Sequence, residues 1–159
     1  MQICILSVGK IKEKFYQEAL AEYAKRLNAY VQLEILEVDD EPCPEHYSAA
    51  DKERVLQLEA KRLSRHLRQR DGLVLLDILG KELTSEKWSQ QYQELCGRGF
   101  GRLVFIVGGS LGVHSEIRAR SDFRWSFGPL TLPHALARVV LLEQLYRGIR
   151  IQRGEPYHK

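Results

Sequence analysis

Short runs of almost wholly apolar residues are the strongest constraint on what this chain can fold into. They lie at 3–8, 73–76 and 103–107, and each is followed at once by a glycine or a carboxylate. Strands that are apolar on both sides are typical of a parallel sheet with both faces covered. Further strand patterns lie at 31–38 and 123–127. The chain is therefore predicted to form five strands.

Amphipathic helical patterns alternate with these strands, because apolar residues recur at three- and four-residue steps between them. The predicted helices span 14–27, about 49–70, 85–97, about 115–120 and 133–150. Alternating strands and helices predict an α/β fold in which a parallel sheet is flanked by helices. The length of 159 residues suits a single domain over 1–159.

The cysteines and the hydropathy pattern indicate in which cellular compartment the protein is expected to work. Cys4, Cys43 and Cys96 are odd in number and widely spaced, and they lack the spacing of zinc ligands. Neither a disulfide framework nor a metal site is expected. The start of the chain shows no leader pattern, and no run of about 18 apolar residues occurs, so no membrane span is expected. These features indicate a cytoplasmic protein.

Positive charge is concentrated in one segment of the chain. The net charge is only +3, so no global basic field indicates nucleic acid. The segment 118–153 nevertheless contains only two acidic residues and these arginines: Arg118, Arg120, Arg124, Arg138, Arg147, Arg150 and Arg153. A basic C-terminal third is typical of a phosphate-binding face. Ordinary solvated arginines are the alternative that the sequence leaves open.

Three of the predicted strand ends have unusual sequences, namely Leu76-Asp77, the glycine segment 108–112 and the loop 127–132. Parallel sheets bind ligands at the carboxyl ends of their strands, so these ends form a candidate site. The glycine segment lacks the lysine of a P-loop and the glycine order of a dinucleotide site. Gly108 either lets the backbone approach a ligand or simply turns a strand into a helix.

The longest apolar helix pattern follows this loop directly. Pro133 suits the first helical turn, because the N–H that proline lacks would be unpaired there. His134 and Arg138 share one stripe of the helix, with an apolar sector on each side. One sector holds Leu136, Val139, Leu142, Leu145, Tyr146 and Ile149, and the other holds Ala137, Val140 and Leu141. Two apolar sectors predict two covers, the sheet and a second copy of the chain; the alternative is a helix buried in one core.

Four sequence blocks carry a family resemblance. They are 105–112 (FIVGGSLG), 131–139 (TLPHALARV), 143–147 (EQLYR) and 153–159 (RGEPYHK). Together with Val8-Gly9-Lys10, and over the whole length of the chain, these blocks resemble the ribosomal RNA large subunit methyltransferase H family. That family comprises small pseudouridine N3-methyltransferases of the SPOUT superfamily.

The resemblance implies a fold whose C-terminal part is threaded into a trefoil knot, which general topology rules would not predict. It also implies a homodimer that uses S-adenosylmethionine (S-adenosyl-L-methionine) as the methyl donor and no metal. The cofactor contacts that it implies fall on the three unusual strand ends. By position they are Leu76, Gly108, Phe127, Gly128, Pro129, Leu130, Thr131 and Leu132. A Gly108→Val substitution is expected to fill the space that the cofactor needs without unfolding the chain.

The reaction that the resemblance implies is methylation of N3 of a pseudouridine in 23S ribosomal RNA, within the assembled ribosome. A sulfonium is already a good methyl donor, so the protein mainly has to hold donor and acceptor in line. The N3 proton must leave, which calls for a base or for cations that favour the anion. The candidates are His134, Arg138, Tyr157 and His158.

Some of these candidates also have purely structural explanations. His134 is placed to cap the start of a helix, and Tyr157 and His158 belong to a C-terminal tail that would ordinarily fray, although Pro156 stiffens it. Two other functions also stay open: a SPOUT enzyme with another RNA target, and a non-catalytic ribosome-binding module. Because the tail follows the predicted interface helix, we expect it to complete a site whose cofactor is held by the other subunit.

Overall fold

Within residues 1–157, which the computed structural model describes, five strands form one sheet. The strands are β1 (Gln2–Val8), β2 (Gln32–Val38), β3 (Asp71–Glu82), β4 (Arg102–Val107) and β5 (Phe123–Ser126). Their order is β2-β1-β4-β3-β5, and every neighbouring pair is parallel. The predicted α/β fold with a parallel sheet is confirmed, whereas the trefoil knot stays a prediction.

Helices cover both faces of the sheet. They are α1 (Lys14–Leu27), α2 (Ala49–Ser64), α3 (Ser85–Gly97), α4 (Ser115–Arg120) and α5 (His134–Gln152). In β1, Ile3 and Ile5 face the core shared with α1, α3 and α5. Cys4 and Leu6 of the same strand face the core shared with α2 and α4. Both sides of the strand are therefore buried, which explains why its sequence is apolar throughout.

A stacked pair of tryptophans joins α3 to the edge strand β5. The ring centroids of Trp88 and Trp125 lie 3.7 Å apart, and the ring planes differ by 14°. Phe105 of β4 meets Trp88 edge-on at 5.9 Å. Aromatic pairs of this kind contribute about 0.5–1.5 kcal/mol beyond their buried area. The pair therefore helps to fix the edge strand against the helix layer.

Helix α2 is shorter than predicted, because it ends at Ser64 and not near residue 70. Beyond this end, the carbonyl of His66 accepts a hydrogen bond from Nη2 of Arg102 at 2.5 Å. Arg102 is almost completely buried and also pairs with Asp71 at 2.9 Å. This tertiary hydrogen bond takes a carbonyl that a longer helix would use itself. Apolar periodicity alone could not reveal that competition.

Strand β3 extends beyond its predicted end because it resumes after a bulge. Trp125 of β5 pairs with Leu76 and then again with Lys81, so residues 77–80 lie outside the ladder. Leu79, at the tip of this bulge, is 77% exposed. Bulges commonly re-aim side chains beside functional sites, and this one projects from the carboxyl-end edge of the sheet.

Helix α5 begins at His134, one residue after its predicted start. The prediction of two apolar sectors is wrong in detail. Leu136 and Val139 are partly exposed, whereas Leu141, assigned to the other sector, is fully buried. Arg138 lies within the buried face and is bonded to the end of β1. This anchor turns its side of the helix toward the sheet.

Candidate active site

The carboxyl ends of the strands meet at the edge where the chain crosses from β5 to α5. β5 lies beside β3, whereas Arg138 of α5 contacts the end of β1, on the far side of β3 and β4. The loop 127–133 therefore passes across the ends of β3 and β4. Two cavities open at this edge in the described part of the chain. We call them the apolar cavity and the charged cavity, after the residues of their walls.

The apolar cavity has a volume of ≈ 440 Å³ and three walls. They are the bulge after Leu76, residues 107–113, which include the glycine segment 108–112, and the loop 127–132. Small-molecule sites typically measure about 300–1,000 Å³. Seven of the eight positions predicted to contact a cofactor line it, and Pro129 does not. The seven are Leu76, Gly108, Phe127, Gly128, Leu130, Thr131 and Leu132. The sequence-based positions thus come together around one space, and their role as cofactor contacts stays a prediction.

Gly108 is needed by the turn that follows β4. A Cβ atom at this position would lie 2.7 Å from the carbonyl oxygen of Gly112 and 2.8 Å from Cγ1 of Val113. A Gly108→Val substitution would therefore collide with the chain itself before it met a ligand. The expectation that this variant fills ligand space without disturbing the fold is wrong.

The bulge beside the apolar cavity is held by Asp77. The Asp77 side chain is only 6% exposed, and its Oδ2 lies 3.1 Å from Nε of Arg118 and 3.5 Å from Nη1 of Arg124. Its Oδ1 accepts the backbone N–H of Leu79 at 3.0 Å. The Asp77 carboxylate at the end of the predicted third strand therefore fixes the wall of the cavity. Both of its oxygens already have partners within the chain.

His134 lies between the two cavities and lines both of them. A Cβ atom on Gly9 would lie 3.0 Å from Cε1 of His134, and Gly9 has a φ of +88°, so only glycine fits this turn at the end of β1. Burial first, and then the positive charge of Arg138, hold the pKa of His134 below its ordinary value of 6.5. The imidazole is therefore neutral at neutral pH and able to accept a proton.

Arg138 is buried behind His134 and lines neither cavity. Its guanidinium pairs with Glu37 of β2 at 2.7 Å and donates to the carbonyls of Val8 at 3.1 Å and Gly9 at 2.6 Å. These carbonyls end β1, where the ladder no longer uses them. The structure thus gives Arg138 an anchoring position, and its predicted catalytic role stays a prediction.

The charged cavity, of ≈ 290 Å³, lies on the other side of His134. Its wall comes from four separate segments: 8–12, 39–41, Glu59 of α2, and Gly109-Ser110. None of the charged residues in this wall is among the site residues predicted from the sequence. Glu59 follows Leu56 by three residues, so it belongs to the buried stripe of α2. That spacing is the signal that could have found it.

Tyr157 lies toward the other end of α5, away from His134. Its hydroxyl donates to Oε1 of Glu143 at 3.3 Å, and its ring meets Tyr146 edge-on at 4.9 Å. Burial, and then Glu143, raise the pKa of Tyr157, so the phenol keeps its proton at neutral pH. Glu143 follows His134 by nine residues, which is about 13 Å along a helix. One chain therefore does not bring Tyr157 to His134, and His158 lies outside the described residues.

Comparison with known proteins decides the family. The family model described as "Predicted SPOUT methyltransferase" matches residues 1–158. The chain belongs to the SPOUT methyltransferase family. A Desulfitobacterium hafniense (strain DSM 10664 / DCB-2) protein named ribosomal RNA large subunit methyltransferase H is 54% identical over 159 residues, covering all of this chain and 99% of that protein. Proteins of the same name from Carboxydothermus hydrogenoformans and Streptococcus uberis are 46% and 47% identical over the full length of both chains.

The arginines in the C-terminal third of this SPOUT methyltransferase are mostly paired. Of the seven at 118–153, five form ion pairs with carboxylates: Arg118, Arg124, Arg138, Arg147 and Arg150. Such pairs neutralise much of the positive field that a phosphate-binding face would need. The pairing favours structural roles for these arginines over the open basic face.

Three other features of residues 1–157 concern membrane spanning, metal binding and cysteine reactivity. No helix there is long and apolar enough to cross a membrane, and no group of three His, Cys, Asp or Glu residues is placed to hold a metal ion. Cys4, Cys43 and Cys96 are free. Burial raises the pKa of the Cys4 thiol to about 11, so it is protonated and unreactive at neutral pH.

Proposed function

We propose that this chain methylates N3 of a pseudouridine in 23S ribosomal RNA, with S-adenosylmethionine as the methyl donor and the assembled ribosome as the substrate. The observation that carries the proposal is an apolar cavity at the strand ends with a neutral, partly buried histidine on its rim. The names of the full-length relatives support ribosomal RNA of the large subunit as the substrate. An enzyme acting on ribosomes works in the cytoplasm.

The apolar cavity suits the cofactor in size and in the chemistry of its wall. Leu76, Phe127 and Leu132 offer apolar surface for the faces of an adenine, and the backbone of the loop 127–132 offers hydrogen bonds for its edge. When bound, S-adenosylmethionine supplies an activated methyl group. The chain then has to hold the acceptor in line with that methyl and exclude water.

His134 is the group best placed to accept the N3 proton. It stands at the junction of the two cavities, and its lowered pKa keeps the imidazole in the base form at neutral pH. Tyr157 retains its proton and suits a hydrogen-bond donor. Arg138 fixes the helix turn that carries His134, through its bonds to Val8 and Gly9. Proton removal and helix anchoring are thus separate tasks of neighbouring side chains.

The proposal includes a homodimer with shared sites. In one chain, α5 leaves Leu136, Val139 and Val140 partly exposed, and these residues form an apolar surface that a second copy would cover. The tail of the same chain packs at the far end of α5. A second copy packed across α5 would bring its own Tyr157 and His158 to the cavities of the first.

Labelled methyl transfer tests the reaction. Ribosomes from cells that lack this protein are incubated with it and with methyl-labelled S-adenosylmethionine, and the labelled nucleoside is identified after digestion. The proposal expects label in N3-methylpseudouridine of 23S RNA, and more from whole ribosomes than from free RNA. Label in transfer RNA instead would indicate another RNA target. Cofactor or ribosome binding without any transfer would indicate a binding module.

A mixing experiment tests the shared site. One copy is truncated after Gln152, and the other carries Leu132→Arg to block the apolar cavity; each alone is expected to be inactive. In a refolded equal mixture, half of the dimers are mixed and each restores one of two sites, so about a quarter of normal activity is expected. Mixed dimers that form, as mass spectrometry shows, but stay inactive would contradict a site shared in this way.

A further inference from the structure

The charged cavity adjoins the proposed methyl-donor site. It shares Gly109, Ser110 and His134 with the apolar cavity, so a ligand held between them would touch both. Its volume of ≈ 290 Å³ lies just below the range of about 300–1,000 Å³ for small-molecule sites. This is space for one small polar ligand, and the proposed function has not yet placed the methyl-accepting base.

Glu59 is the distinctive group of this cavity. The residue is only 5% exposed, and its Oε1 accepts the backbone N–H of Glu41 at 3.1 Å. Its Oε2 is buried and has no hydrogen-bond partner within residues 1–157. A buried carboxylate oxygen without a donor is costly. Burial also raises the pKa of Glu59, as expected for a carboxyl short of donors.

The Glu59 carboxyl group packs directly against the backbone of Gly109 at the wall of the charged cavity. A Cβ atom on Gly109 would lie 3.1 Å from Oε2 and 3.3 Å from Oε1 of Glu59. Any larger residue at 109 would therefore crowd the carboxyl group, and glycine leaves room there. Both Glu59 and Gly109 line the charged cavity. The second carboxylate oxygen of Glu59 is thus a buried acceptor at the cavity wall, without an N–H or O–H donor among residues 1–157.

The other charges of the wall narrow the kind of ligand. Asp39, Asp40 and Glu41 oppose an anion in the cavity itself. Lys10 and Lys12 line the same wall, and Lys10 pairs with Asp39 at 3.4 Å. A wall that carries both acidic and basic side chains suits a neutral ring with hydrogen-bonding groups. Lys10 and Lys12 could then contact a phosphate attached to that ring. A nucleobase has those properties.

We infer that the charged cavity receives the methyl-accepting base and that Oε2 of Glu59 accepts a hydrogen bond from N1–H of its pseudouridine ring. The inference rests on the proposed function. Pseudouridine has ring N–H groups at N1 and N3, whereas N1 of uridine carries the ribose. With N3 directed at the methyl donor in the apolar cavity, N1–H is the ring donor that remains. Glu59 thereby becomes a specificity-determining residue that distinguishes pseudouridine from uridine.

Glu59→Gln tests this role with little change of shape. The amide oxygen can still accept the N–H of Glu41, but an NH2 group replaces Oε2 and would face N1–H donor to donor. Glu53→Gln on the same helix is the matched control, because Glu53 is largely exposed and pairs with His114 outside both cavities. The substrates are ribosomes with pseudouridine at the target position and ribosomes from cells unable to isomerise that uridine.

The measurement is kcat/KM for methyl transfer to each kind of ribosome. A hydrogen bond to a charged group changes a binding or rate constant by roughly 10- to 150-fold. The kcat/KM of the wild type should therefore be at least about tenfold higher with pseudouridine than with uridine. Glu59→Gln should lose about tenfold or more of this preference, through a slower reaction with pseudouridine and an unchanged one with uridine. Its S-adenosylmethionine affinity and unfolding midpoint should match those of Glu53→Gln.

Each other outcome has a definite meaning. An undiminished preference in folded Glu59→Gln overturns the inference and leaves the proposed function standing. A loss of cofactor affinity overturns it too, because Glu59 would then serve the methyl donor. Wild type that methylates neither kind of ribosome refutes the proposed function itself. If Glu59→Gln does not fold, wild type is tested on ribosomes reconstituted with 1-methylpseudouridine, and undiminished transfer there overturns the inference.

Discussion

The two cavities on either side of His134 are built in opposite ways. The apolar cavity takes its wall largely from contiguous segments, 107–113 and 127–132, whose glycines and leucines present backbone and apolar surface. The charged cavity collects its charged residues from three separate segments, 8–12, 39–41 and Glu59, and Gly109-Ser110 completes the wall. Segments 8–12, 39–41 and Gly109-Ser110 also follow strand ends, but the buried carboxylate of Glu59 comes from the middle of α2. A site assembled from scattered residues leaves almost no local sequence pattern.

The largest expected effect concerns the anchor behind both cavities. Arg138→Ala would leave the carbonyls of Val8 and Gly9 and the carboxylate of Glu37 without their shared donor. Breaking a buried charged pair costs about 3–5 kcal/mol, so urea unfolding should show a loss of that size. Lys14→Ala, which removes an exposed ion pair with Glu18, is the control and should leave the midpoint unchanged. A comparable effect in both variants would mean that Arg138 is no special anchor.

A smaller effect, on rate, concerns the residue between the cavities. His134→Ala should lower kcat/KM for methyl transfer by about 100-fold or more, because a positioned base contributes at least that factor. In the wild type, the lowered pKa of His134 keeps the base form present at pH 6.5, and protonation follows only at more acidic pH. The acid limb of the kcat/KM profile should therefore lie below pH 6.5.

The control for this prediction is His46→Ala, at an exposed histidine outside both cavities. It should retain the wild-type rate and the same acid limb. A His134→Ala variant that keeps this limb would assign the proton acceptor to another group.

The smallest expected effect concerns a residue that belongs to the wall of the apolar cavity and not to that of the charged cavity. Leu132→Ala removes apolar surface from the apolar cavity only. Burying a leucine is worth about 1.5–3 kcal/mol, so calorimetry should show S-adenosylmethionine affinity reduced by roughly tenfold or more. Leu67→Ala, at a partly buried leucine outside the cavity, is the control. Equal affinities for the two variants would place the cofactor elsewhere.

The sequence predicted the sheet and the apolar cavity from the same physical rule. Strands covered on both faces must be apolar, and their carboxyl ends must meet, so the sequence alone places Leu76, Gly108 and Phe127 together. The parallel order of the sheet and the bounds of α4 agree with that reasoning. Helices and strands with a clear hydrophobic period are predictable because burial imposes the same requirement at every position on one face.

The rest depended on tertiary contacts that no period encodes. Arg138 appeared as part of a polar stripe, yet it is buried because β1 ends in carbonyls that need a donor. Glu59 appeared as one more charge on a long helix, yet its spacing from Leu56 places it inside. Tyr157 shares a family motif with the site residues but lies at the other end of α5. Only for Arg138 does the deciding partner, the end of β1, come from a segment far away in the sequence.

The stacked tryptophans give the protein a built-in optical signal. Trp88 and Trp125 are the chain's two tryptophans, and Trp125 is also one of the residues that line the apolar cavity. All of the indole emission therefore comes from one coupled pair, and one member of that pair borders the proposed cofactor. Filling the cavity changes the surroundings of Trp125 directly, while unfolding separates the two rings. Cofactor titrations and unfolding can thus be followed by unlabelled fluorescence, without a reporter dye.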